Sequence, residues 1–135
     1  MFFGFPILCT SAIVWLTYAS GIIGQGLTDP TFTTTYSGLS PTQGYTLINS
    51  SEDSIIIVDV RECQCNYNKG HIPNAIWNIN PRSFYNETKD LLIYENKESL
   101  SLDFCESLKG HTYGSIYYLK GGMDAWKSAN LPTEK

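Results

Sequence analysis

Leu91-Leu-Ile-Tyr-Glu-Asn-Lys-Glu-Ser-Leu-Ser101 is the stretch on which the reading of the chain turns. Leu91 to Tyr94 is a short apolar run of the kind that forms a buried strand. A polar stretch follows, interrupted by Leu100, and then Leu102, Phe104, Cys105 and Leu108 recur at helical spacing until Lys109-Gly110. Strand, tight loop and helix N-terminus make an anion cradle, because loop amides and the helix dipole converge just past the strand end. A nucleophile at that point would be activated. The residue there is Glu95, whose carboxylate is a poor candidate for the task.

Upstream, Ser54-Ile-Ile-Ile-Val-Asp-Val60 contains four consecutive β-branched residues without alternation, which predicts a strand buried on both faces of a parallel sheet. Asp59 and Arg61 flank Val60 and are expected to pair at the strand end. Ser40-Pro41-Thr42-Gln43 predicts a helix start, with Ser as N-cap, Pro in first position and Gln three residues on. Tyr45, Leu47 and Ile48 supply its apolar face, and Asn49 to Ser54 turns the chain. Gly70-His71-Ile72-Pro73 reads as a turn, Ala75-Ile76-Trp77 as a short strand, and Pro81 to Glu87 as a short helix or turn. Ser115 to Leu119 is a last strand closed by Gly121-Gly122, and Met123 to Asn130 a last helix. Alternation of helices and strands predicts an α/β fold with a mostly parallel central sheet, helices on both faces and right-handed crossovers.

The 135 residues suit one domain. A net charge of −4 without a basic cluster argues against nucleic acid as a partner. From Met1 to Thr28 there is no charged side chain, and Phe2 to Gly24 is mostly apolar over a length that spans a bilayer as a helix. This segment reads as an uncleaved anchor or as a signal cut near Ala19-Ser20-Gly21. The expected plan is therefore a hydrophobic signal or anchor helix over 1–24, a linker over 25–37 and a folded domain over 38–135. That domain would be membrane-anchored or secreted, on the extracytoplasmic side. Cys9 lacks a lipoprotein-like context. The four cysteines match no standard zinc pattern, so no metal site and no cofactor are expected.

The chain resembles a single rhodanese domain. Val58-Asp-Val-Arg61, Tyr67-Asn-Lys-Gly-His-Ile-Pro73, Leu91-Leu-Ile-Tyr94 with its loop, and Leu119-Lys-Gly-Gly-Met-Asp-Ala-Trp126 running on to Leu131-Pro132 occur in the family's order, over residues from about 38 to 134. The resemblance implies a sulfurtransferase fold in which a cysteine directly after the strand takes a sulfane sulfur as a persulfide. Here the nucleophile position is Glu95 and the loop equivalent is Glu95, Asn96, Lys97, Glu98, Ser99, Leu100 and Ser101. Leu100 stands where an arginine is often found, and Ser101 fits the family ending. A carboxylate forms no persulfide and repels an anionic donor. Related phosphatases also need the cysteine. The expectation is thus a pseudoenzyme, a binding or regulatory module for an unknown protein or small-anion ligand, tethered to a membrane through its N-terminal segment.

Glu95 either occupies the cradle as an internal anion or points into solvent from a decayed loop. Lys97 and Glu98 read as solvated loop charges. His71 is expected to support its turn rather than to act as a base. Trp126 and Cys105 read as core. Cys63 and Cys65 fall in a loop one residue longer than the commonest family spacing. They could form a disulfide, bind a soft metal, remain an unpaired surface pair, or carry sulfur in place of Glu95. That last option is the alternative function, a sulfur-carrier or thiol-redox protein. Asn49-Ser-Ser51 and Asn86-Glu-Thr88 fit the glycosylation acceptor pattern.

Overall fold

The computed structural model describes residues 30–51 and 53–135. The hydrophobic segment 1–24 lies outside them. Five strands form one parallel sheet: β1 (Tyr36–Leu39), β2 (Ile55–Asp59), β3 (Ile76–Trp77), β4 (Asp90–Tyr94) and β5 (Ile116–Leu119), in the order β1-β5-β4-β2-β3. Four α-helices connect or follow them: α1 (Pro41–Ser50), α2 (Gln64–Lys69), α3 (Ser99–Leu108) and α4 (Gly122–Ser128). A 3-10 turn covers Pro81–Phe84.

Residues alternate between faces along a strand, so each central strand feeds two cores. Val58, Val60, Leu91 and Ile93 meet Phe104, Cys105 and Leu108 of α3 on one face. Ile57 and Tyr94 meet Met123 and Trp126 of α4 on the other, with Tyr45 and Ile48 of α1 against them. Leu91, Leu92, Ile93 and Tyr94 are all fully buried, which explains the unbroken apolar run. The α1 capping box forms: the Gln43 N–H donates to Ser40 Oγ at 3.2 Å and the Ser40 N–H to Gln43 Oε1 at 2.9 Å. Such a cap contributes about 1 kcal/mol.

Two elements differ from the sequence reading. The linker expected over 25–37 overlaps the folded unit. The Thr33 N–H donates to Thr112 O, the Gly110 N–H donates to Thr33 O, and Phe32 stacks on Tyr113 with ring centroids 4.5 Å apart. Tyr36 already pairs with β5. A run of threonines carries no period, and only the connection between α3 and β5 gives it a partner. Secondly, the loop expected around Cys63 and Cys65 contains α2. Its N-cap is Cys63, whose Sγ accepts the Cys65 N–H at 3.2 Å. Six mostly polar residues give no apolar stripe from which to foresee a helix.

Candidate functional site

Ligands of parallel α/β sheets bind beyond the carboxyl ends of the strands. Here β2 and β4 are neighbours with Asp59 opposite Tyr94 in register. Asp59 and Arg61 pair, as expected from their spacing, and both are buried. Arg61 Nε donates to both Asp59 oxygens at 3.0 Å, and Arg61 Nη2 donates to Asp59 Oδ2 and, at 2.7 Å, to Gly70 O. Tyr94 completes the group. Its hydroxyl donates to Asp59 Oδ2 at 3.0 Å and accepts the Ile72 N–H at 3.2 Å. Burial first, and the Asp59 charge second, hold the Tyr94 phenol far above its ordinary range, so it remains a donor. The Arg61 charge is thus directed at Asp59.

Directly after β4, Glu95 is only 7% exposed. Its Oε1 accepts the Lys97 N–H at 2.5 Å, so the carboxylate is turned back onto its own loop rather than into solvent. The loop is clamped to the start of α4. Glu95 O accepts the Met123 N–H at 2.7 Å and Asn96 O accepts the Asp124 N–H at 3.1 Å. Glu98, which read as a solvated charge, is half-buried, and its Oε1 accepts the Gly121 N–H at 2.9 Å. Its side chain therefore leaves the N-terminus of α3 without a side-chain cap. Gly122 has φ +60° and lies so close to Glu95 O and Lys97 O that a Cβ there would collide with both. Lys97, Asn96 and Ser99 are exposed, while Leu100 is half-buried against the α3 core. Ser101 Oγ is fully buried and has no partner among the described residues.

A cleft of about 400 Å³ opens between two walls. Arg61, Glu62, Cys63 and Asn66 form one. Glu95, Asn96, Ser99 and Leu100 form the other. Cys63 and Cys65 are joined by a disulfide, and both are exposed. His71 does not line this cleft. Its ring stacks on Tyr67 with centroids 3.8 Å apart, Nδ1 lies 2.9 Å from Tyr67 O, and Nε2 lies 3.4 Å from Glu134 Oε1. Cys105 is buried in α3, where burial and the nearby Glu106 push its thiol up to about 12, so it is inert at neutral pH. Among the described residues no group of three or more His, Cys, Asp or Glu is placed to hold a metal ion. The sequence reading left out Tyr94, Glu62 and Asn66 as site residues. Only the pairing of β2 with β4 and the position of α2 bring them together.

The family profile described as "Rhodanese-like domain" matches residues 40–129. The chain belongs to the rhodanese-like domain family. This rhodanese-like domain is 38% identical over 95 residues to an uncharacterised protein of Buchnera aphidicola subsp. Schizaphis graminum, covering 64% of this chain and 62% of that one. It is 33% identical over 89 residues to an uncharacterised protein of Synechocystis sp., covering 62% and 49%. The chain therefore spans between half and about three fifths of the length of these curated relatives. Among solved structures, the Alr3790 protein from Anabaena sp. superposes with a TM-score of 0.61 at 26% identity, covering 71% of this chain and 81% of that one. Thiosulfate sulfurtransferase from Pseudomonas aeruginosa shares the fold at 22% identity, with a TM-score of 0.63 over 76% of this chain and 20% of that one.

Proposed function

We propose that this rhodanese-like domain is a binding or regulatory module in which Glu95 stands at the position of the persulfide-forming cysteine. The observation that carries the reading is the Glu95 carboxylate itself. It is 7% exposed and accepts the Lys97 N–H of its own loop. A carboxylate held there fills part of an anion cradle with the protein's own charge, which disfavours an anionic sulfur donor. The loop offers no thiolate, and Leu100 offers no cation. The ligand is then a partner protein or an uncharged or cationic group rather than a thiosulfate-like anion.

Export belongs to the same proposal, with residues 1–24 as an anchor or a cleaved signal. Two things support it: the absence of charge up to Thr28, and the Cys63–Cys65 disulfide, a bond that persists in oxidising compartments. The decisive assay is thiosulfate:cyanide sulfur transfer. Wild-type protein should equal a heat-killed control. Turnover that survives replacement of Cys63, Cys65 and Cys105 would sink the proposal. A mature N-terminus near residue 22 would settle anchor against signal.

A further inference from the structure

The cleft that holds Glu95 carries a second reactive group on its facing wall. Cys63 lines it, and Cys63 is bonded to Cys65. That disulfide is not what fastens its segment. Arg61 Nη2 donates to Gly70 O at 2.7 Å, Trp77 Nε1 donates to Arg61 O at 2.8 Å, and Tyr67 Oη donates to Ala75 O at 2.8 Å. The Tyr67–His71 stack closes the far end of α2. The stretch from Arg61 to Gly70 is therefore held without sulfur. A bond between residues two apart also constrains the unfolded chain very little, since disulfide stabilisation grows with the loop enclosed. An exposed disulfide that fastens nothing has the properties of a reactant, because exposed disulfides are the labile ones.

We propose that Cys63–Cys65 is a thiol–disulfide exchange centre, and that its substrate is a small thiol whose body is uncharged or cationic. The charge preference comes from the walls. Glu62 and Glu95 both line the cleft, and the lining cation, Arg61, is paired with buried Asp59. The attacking thiolate forms a bond to Cys63 Sγ, the cysteine that lines the cleft. The Cys63–Cys65 bond breaks, and its electron pair leaves on Cys65, an exposed thiolate that takes a proton from water. A second thiolate attacks the substrate sulfur of this mixed disulfide. Cys63 leaves as a thiolate and the substrate departs as its symmetrical disulfide. Two thiols are oxidised and one protein disulfide is reduced by two electrons. This centre does not depend on the proposed function above, and sulfur transfer from thiosulfate would overturn that reading without touching this one.

The test uses the purified full-length protein with three thiols: cationic cysteamine, neutral mercaptoethanol and anionic mercaptoethanesulfonate. Rates are compared at equal thiolate concentration and low ionic strength, with uncharged hydroxyethyl disulfide as the reference substrate. Alkylation followed by peptide mass analysis counts the thiols formed at Cys63 and Cys65. On the native protein the ratio of cysteamine to sulfonate rates should exceed that on the reference roughly tenfold, as two nearby carboxylates require. Glu62→Gln and Glu95→Gln should each shrink the excess roughly threefold, and salt of about 0.5 M should remove most of it. Glu62 is exposed, so its variant tests the charge effect even if the Glu95 loop is disturbed. Free Cys63 and Cys65 in the purified protein, a disulfide that reacts only on unfolding, or a rate ratio equal to the reference would each overturn the proposal.

Discussion

Tyr94 donates its phenolic hydrogen to Asp59 Oδ2 across the β2–β4 pair, at 3.0 Å and with both side chains fully buried. The two residues are 35 apart in sequence and opposite each other in register. Arg61 closes the group from the other side, its guanidinium 5.8 Å from the Tyr94 ring centroid. A buried carboxylate is costly unless its oxygens are satisfied, and here five donated bonds reach Asp59 from two residues.

Tyr94→Phe removes one donor to Asp59 and one acceptor for the Ile72 N–H. It should lower stability in urea by about 1–3 kcal/mol while leaving the fold intact. The alkaline limb of stability should change with it. Burial raises the proton affinity of both Tyr94 and Cys105 in the folded state, while the unfolded chain releases these protons at ordinary values of 10.0 and 9.0. Between those values and the higher folded ones the native state binds more protons. Stability is therefore full below about pH 9 and falls as pH rises, by up to about 1.4 kcal/mol per pH unit for each group. Urea melts across that range should show the fall, and Tyr94→Phe should flatten it. A stability that rises above about pH 9 would contradict the assignment.

Glu95→Ala strips the Lys97 N–H of its partner inside the loop and should cost about 1–2 kcal/mol. Glu95→Gln keeps an oxygen acceptor and should cost less than Ala. Equal stability of wild type and Glu95→Ala would mean that the carboxylate is solvated in solution.

Gly122→Ala places a methyl group against Glu95 O and Lys97 O at a residue with φ +60°. It should destabilise the domain by about 1–3 kcal/mol. Amide exchange should show the effect concentrated at Met123 and Asp124, whose N–H groups hold the loop. Uniform loss of protection would place the strain elsewhere.

Glu95→Cys alone should restore little thiosulfate:cyanide turnover, since Leu100 supplies no cation. Glu95→Cys with Leu100→Arg should exceed it. If the single variant matches the double, the loop amides alone suffice to hold the donor, and the role given to position 100 is wrong.

A fragment beginning at Thr31 should fold cooperatively. One beginning at Gly38 lacks half of β1 and the Thr33 bonds to Thr112 and Gly110, and should melt several degrees lower. Each bond of this kind contributes about 1 kcal/mol. Identical melting temperatures would return residues 31–37 to the linker.

The sequence determined by itself whatever depends on a few consecutive residues. Ile55 to Val58 announced a strand buried on both faces, Leu91 to Tyr94 announced a buried strand, and the Ser40–Gln43 box announced a helix start. The spacing of Phe104, Cys105 and Leu108 announced the core face of α3, while Leu102, read with them, is only half-buried. These signals are local because burial period and capping are set within one or two turns of chain. Tertiary structure alone decided what the site is made of. Glu98 reaches Gly121 from 23 residues away, Tyr94 reaches Asp59 from 35, and Cys63 comes to face Glu95 across a cleft. Polar side chains carry no periodic signal, and their partners are chosen by which strand ends lie side by side. Pairing β2 with β4, and seating the Glu95 loop on Gly122, turned a row of polar residues into a closed loop beside a disulfide.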